Sequence, residues 1–151
     1  VVETVIKSNE KRKNNLAEKI LNILKNPKGK KVGFLGVTFK ANTDDMRDTQ
    51  CLKIFPKLLK KGVKLSYYDP TGEKKELKKI RFIKNTKEIL NNNDLVVIHT
   101  EWDEFRSLDF KSIKNKGVKI FDMRNLYQPN EFLNKNIKYY SIGRPTNEKK
   151  A

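Results

Sequence analysis

Three short stretches combine anion-binding residue types with a position at the end of an apolar run. Phe39-Lys40-Ala41-Asn42-Thr43-Asp44-Asp45-Met46-Arg47 closes the run KVGFLGVTF, Thr100-Glu101-Trp102-Asp103-Glu104-Phe105 closes DLVVIHT, and Asp122-Met123-Arg124-Asn125 closes VKIFD. A lysine ammonium offers phosphate or carboxylate a point charge, and an arginine guanidinium offers a planar two-pronged donor. Lys40, Arg47 and Arg124 are therefore candidate ligands for a small phosphorylated or carboxylated molecule. Each has a plainer explanation. Asp44 and Asp45 could neutralise the first two cations in a solvated turn and cap the next helix, and Asp122 could pair with Arg124. For the 39–47 loop, spacing alone leaves both open.

Other residues carry less chemistry. Glu101 and Trp102 suit an acid beside a stacking ring, although a core-plugging tryptophan and a helix-start glutamate are the commoner arrangement. His99, the single histidine, sits in an apolar run and is expected to be a satisfied sheet residue. Cys51, the single cysteine, is expected to be a packed small hydrophobe rather than a nucleophile. One cysteine excludes an internal disulfide framework, and one histidine leaves little for a metal, so no metal ligand and no catalytic residue is assigned.

The elements that would position these residues alternate. Val2, Val5, Ile6, Leu16, Ile20, Ile23 and Leu24 mark one face of an opening helix that stops at Asn26-Pro27-Lys28-Gly29. The chain starts without methionine and already in helical register, as expected of a piece of something longer. Strands are predicted over Lys31–Phe39, Val63–Tyr68, Arg81–Ile83, Asp94–Thr100, Val118–Asp122 and Ile137–Ile142. Helices are predicted over Thr49–Lys61, with Pro56 a possible kink, near Glu73–Lys79, and over Thr86–Asn92 with Thr86 as a possible cap. Asp109–Asn115 forms a further short helix or loop capped by Asp109. Such alternation predicts an α/β, Rossmann-like three-layer sandwich with a mostly parallel sheet. In such a sheet ligands sit at the carboxyl ends of the strands, where all three candidate stretches fall.

A dinucleotide fingerprint is not among them. Gly33 and Gly36 give only GxxG, both expected within the apolar strand, and Asp69 follows Gly36 by 33 residues where about 20 are expected. Those glycines are expected to serve close packing.

Composition bounds the partners. The 151 residues carry 34 Lys plus Arg against 18 Asp plus Glu, a formal charge of +16. That excess suits a polyanion. Twenty-eight of the cations are lysines spread along the chain beside 16 asparagines, and no basic stretch is interleaved with aromatics. A solvated surface is favoured over a nucleic-acid footprint. With neither an 18-residue apolar run nor a signal-like start, a soluble, cytoplasmic protein is expected, without membrane contact.

Gly33 to Arg47 (GFLGVTFKANTDDMR), Tyr68-Asp69-Pro70, Thr100-Glu101-Trp102 with Phe105, and Asp122-Met123-Arg124-Asn125 together resemble, in order and spacing, the C-terminal nucleotide-sugar-binding domain of the UDP-glucose dehydrogenase family. The opening helix resembles the end of that family's central helix. The resemblance implies residues 1–26 as the end of a dimer-forming helix, 29–145 as a UDP-binding domain and 146–151 as a polar tail. It implies oxidation of UDP-glucose to UDP-glucuronate with two NAD, through a cysteine that lies upstream in the family. Phe39 and Lys40 would face the sugar nucleotide, Arg124 would contact it, and Arg47 would reach toward NAD held by an N-terminal domain. Asp48-Thr49-Gln50 departs from the family's usual Glu-Ser-Pro or Glu-Ala-Pro. No GGSC-type cysteine motif and no glycine-rich NAD loop occur here, so this chain alone is expected to bind without turnover, as part of a homodimer. UDP-N-acetylmannosamine or GDP-mannose dehydrogenases are the alternatives within the family, and a basic nucleic-acid module the alternative outside it.

Overall fold

The computed structural model describes residues 16–115, 117–132 and 137–142. Six strands, β1 (Lys31–Leu35), β2 (Lys64–Tyr68), β3 (Arg81–Phe82), β4 (Leu95–Ile98), β5 (Lys119–Asp122) and β6 (Lys138–Ser141), form one sheet in the order β3-β2-β1-β4-β5-β6. Every pairing is parallel. The helices are α1 (residues 16–24), α2 (Cys51–Lys60) and α3 (Thr86–Asn92). The first fifteen residues and the 146–151 tail lie outside the described residues, so their assignments concern the sequence alone.

Each strand divides its side chains between two cores, because successive residues point to opposite faces. On one face Val32, Phe34, Leu65, Tyr67, Leu95, Val97 and Phe121 pack with Ile20 and Leu24 of α1 and with Ile54, Phe55 and Leu58 of α2. On the other, Leu35, Val96, Ile98, Ile120 and Tyr139 pack with Ile89 and Leu90 of α3, with Phe105 and Phe132 from the 3-10 turns Asp103–Ser107 and Pro129–Phe132, and with Phe110. The result is the expected three-layer sandwich, and α1 shares its core with the sheet.

Several local expectations change. The helix over 73–79 is a single 3-10 turn, Lys75–Leu77. The Asp109 region forms no helix, although Asp109 Oδ1 still accepts the Lys111 and Ser112 amides. The cap of α3 is Asn85, not Thr86: its side chain accepts from the Glu88 amide at 2.8 Å. Asn85 leads because its short carbonyl reaches back to that orphan N–H from an extended backbone. Helix α2 runs through Pro56 without breaking.

Strand β1 stops at Leu35 because Gly36 turns the chain to φ +81°. Gly36 therefore lies just past the strand, not within it. A Cβ at Gly36 would lie 2.5 Å from Thr100 Cβ, and one at Gly33 would lie 2.5 Å from Asn93 Nδ2. The order β2-β1-β4-β5 means that chain connections leave β1 and β4 in opposite directions, opening the switch-point crevice between these two strands.

Gly36→Ala is predicted to cost about 3 kcal/mol, since it combines a left-handed backbone with overpacking. Gly72→Ala, at φ +94° with open space around it, is predicted to cost about 1 kcal/mol through the backbone alone. Urea unfolding of the two variants checks this; equal losses would show that the Thr100 contact is not the constraint.

Candidate functional site

The crest of the sheet is built by side chains that hold backbone groups freed at the strand ends. Asp69, one residue beyond β2, is buried and accepts the Val37 amide through Oδ2 at 3.0 Å. Its Oδ1 accepts the Thr71 amide and hydroxyl. The Thr49 hydroxyl donates to the Val37 carbonyl at 2.6 Å. The Thr100 hydroxyl donates to the Thr38 carbonyl at 2.9 Å. The loop leaving β1 is thus pinned on both sides before it emerges at Phe39, which is 50% exposed.

Beyond the pins the loop folds on itself. The Phe39 amide donates to the Asp45 carbonyl and the Thr38 hydroxyl to the Lys40 carbonyl. Asn42 and Asp48 adopt left-handed φ of 63° and 59°. Arg47 Nε and Nη2 grip both Asp45 carboxylate oxygens at 3.0–3.3 Å, and the Arg47 side chain is 87% exposed. The hydrogen bonds from Arg47 hold the Asp45 carboxyl below the usual carboxylate range. One half of the solvated-turn explanation is therefore met, since Asp45 neutralises Arg47. The other half is not: neither aspartate caps α2, whose N-cap position is Gln50 without a side-chain bond.

Arg124 arrives from the opposite side. The Asp122 carboxylate does not pair with its guanidinium. Asp122 Oδ1 accepts the Arg124 amide, and Oδ2 accepts the Tyr127 amide and the Tyr139 hydroxyl at 3.0 and 2.7 Å. Arg124 Nε donates instead to the His99 carbonyl at 2.8 Å. With Nε spent on a backbone oxygen, the two terminal nitrogens are left to meet an anion. The end of β4 is therefore the common anchor: Thr100 holds the base of the Phe39-Lys40 turn, and the adjacent His99 holds Arg124. Arg47 is tied to Asp45 on the exposed part of the loop.

His99 is only half satisfied. Its Nδ1 lies 3.0 Å from Thr100 Oγ1, which already donates to Thr38, so Nδ1 carries the proton; Nε2 is buried without a partner. Burial, followed by the charge of Arg124, pulls its pKa down from 6.5 to about 3. Trp102 is half-buried against the α3-side core, as expected of a plug, with Glu101 exposed beside it. Cys51 is fully buried, and desolvation pushes its thiol far up, which removes it as a nucleophile. The backbone-holding roles of Thr38, Thr49, Asp69 and Thr100 were not read from sequence, although each falls in a motif quoted above. The one available signal was a run of small hydroxylated or acidic residues directly after apolar strands.

Residues 33–129 match the family model described as UDP-glucose/GDP-mannose dehydrogenase family, UDP binding domain. The chain is 36% identical over 151 residues to UDP-glucose 6-dehydrogenase of Rhizobium meliloti, covering 96% of this chain and 35% of that protein. Among solved structures it resembles a UDP-glucose dehydrogenase from Pyrobaculum islandicum, with a TM-score of 0.75 and 24% identity over 91% of this chain and 31% of that one. It also resembles the NDP-N-acetyl-D-galactosaminuronic acid dehydrogenase from Methanosarcina mazei, with a TM-score of 0.71 and 28% identity over 88% and 29%. The chain spans about a third of the length of the curated relatives it matches.

The native state holds His99 neutral, whereas the unfolded chain takes up a proton below pH 6.5. Its contribution is thus fully present above pH 6.5 and is lost as pH falls from there toward 3. Between pH 6.5 and 5 the loss is predicted to be about 2 kcal/mol. Denaturant titrations across that window check this; His99→Gln should flatten the slope, and an unchanged slope would contradict the burial of a neutral imidazole.

Proposed function

Because this chain belongs to the UDP-glucose/GDP-mannose dehydrogenase family, we propose that it is the nucleotide-sugar-holding part of a UDP-glucose 6-dehydrogenase. The whole enzyme oxidises the sugar's C6 alcohol to the carboxylate of UDP-glucuronate. The observation that carries this is the anchoring of the Phe39-Lys40 turn and of Arg124 on the adjacent residues Thr100 and His99 just past β4, at the switch point of the sheet.

Arg124 presents its terminal guanidinium nitrogens to the diphosphate, held in direction by the His99 carbonyl. Phe39 offers its exposed ring to the sugar nucleotide. Lys40 lies toward the end of the sugar that is oxidised, where its charge favours the carboxylate formed. This chain supplies binding and orientation, and its single thiol, Cys51, is buried away from any substrate.

NAD supplies hydride acceptance when bound. Here Gly36 leads into the stretch 36–50 before α2, not directly into a helix N-terminus, so this chain lacks the turn that cradles a dinucleotide's pyrophosphate. An N-terminal domain elsewhere in the protein is therefore the main NAD holder. Arg47 fits a lesser role: Asp45 fixes its fork on the exposed loop, leaving Nη1 to reach an anion brought by that partner domain. Within the described residues, α1 fits the end of a dimerising helix, and the stretch from 29 onward fits the UDP-binding domain. No described helix is long and apolar enough to cross a membrane; the soluble substrate and the lone thiol favour a cytoplasmic setting.

Calorimetric titration tests this. UDP-glucose should bind more tightly than GDP-mannose or UDP-N-acetylmannosamine. Arg124→Ala and Lys40→Ala should each weaken it by about tenfold, the worth of one charge-assisted hydrogen bond, and no NADH should form. Unchanged affinity in both variants would reject the assigned roles.

A further inference from the structure

The amino ends of the strands, opposite the crest, hold a second cluster of cations. Lys31 and Lys64 are the first residues of β1 and β2 and are direct partners in the parallel ladder. Arg81 opens β3, opposite Ser66 of β2. In-register residues, and residues two apart on one strand, point to the same face, so Lys31, Lys64, Ser66 and Arg81 all project toward the α3 side. There they line a cavity of about 360 Å³ with Ile83 and Asn93 among the walls, within the size range of small-molecule sites.

Two features make this more than a basic surface. Like charges placed opposite each other on neighbouring strands repel, yet none of the three cations makes an ion pair among the described residues. The nearby carboxylate, Asp94, spends Oδ2 on the Lys31 backbone amide at 2.9 Å. The floor is also fixed. Asn93 is buried, donates to the Ile89 carbonyl at 2.8 Å and accepts from the Ser66 hydroxyl at 3.3 Å, while Gly33 has no side chain to crowd it. A fixed polar floor thus lies beneath three exposed cations of one sign.

We propose that this cavity is a binding site for a compact polyanion of the phosphate or diphosphate class, separate from the crest. Arg81 supplies the two-pronged donor, and Lys31 and Lys64 supply point charges. An anion there would join the amino ends of β1, β2 and β3 and relieve their mutual repulsion.

Titration of the 151-residue chain with inorganic diphosphate at constant ionic strength tests this. Saturable binding is expected, together with a rise in thermal midpoint. Lys64→Gln and Arg81→Gln should each weaken binding by about tenfold or more. Lys57→Gln and Lys60→Gln on α2 should leave it intact, and saturable binding should persist in an Arg124→Gln background, which removes any diphosphate held at the crest. A parallel UDP titration separates the sources: UDP binding weakened by Lys64→Gln and Arg81→Gln marks a nucleotide-borne diphosphate, and UDP binding indifferent to them marks the free anion. No saturable binding, equal weakening by the α2 variants, loss through Arg124→Gln alone, or capture of an oligonucleotide without diphosphate would each overturn it.

Discussion

Strands β1 and β4 run side by side although 59 residues separate Leu35 from Leu95, and the chain must leave them in opposite directions. That geometry forces the backbone after Leu35 to turn within van der Waals reach of Thr100. A glycine at residue 36 is the solution: it adopts φ +81° and leaves room for the threonine side chain. Close approach then puts the Thr100 hydroxyl on the Thr38 carbonyl and the His99 carbonyl within reach of Arg124. The residues available to a ligand depend on a contact made by residues that need not touch it.

Secondary structure was largely legible because the strands are short, apolar and punctuated. Strand segments were expected at all six observed positions, since fully buried parallel strands read as unbroken apolar runs. Their ends were overestimated: KVGFLGVTF continues four apolar or small residues beyond Leu35, but a positive φ at Gly36 ends the pairing, and no periodicity encodes that. The α3 cap was misplaced by one residue because asparagine and threonine are both good caps, and backbone geometry alone chooses between them.

The candidate site was legible in residue type and position along the chain, less so in partnership. The apparent match of Asp122 with Arg124 suggested an ion pair. In the fold the buried carboxylate serves two backbone amides and the Tyr139 hydroxyl instead, because freed amides at a strand end demand acceptors before a half-buried guanidinium does. The tie between Asp69 and Val37 spans 32 positions, and nothing local in the sequence announces it. Cys51 and Trp102 were correctly read as packing residues, whereas His99 falls short of a fully satisfied sheet histidine, with Nε2 buried and without a hydrogen-bond partner. The +16 charge, read first as diffuse solvation, is locally organised at the amino edge of the sheet, where strand register brings together lysines distant in sequence.

The central claim is that the ends of β1, β4 and β5 form one ligand-holding surface. Amide chemical shifts of the isotopically labelled chain, followed through a UDP-glucose titration, test it most directly. The account predicts concerted movement of the amides of 36–40, 99–101 and 123–125, saturating with a single affinity. Stationary signals for these three stretches while others shift would contradict it.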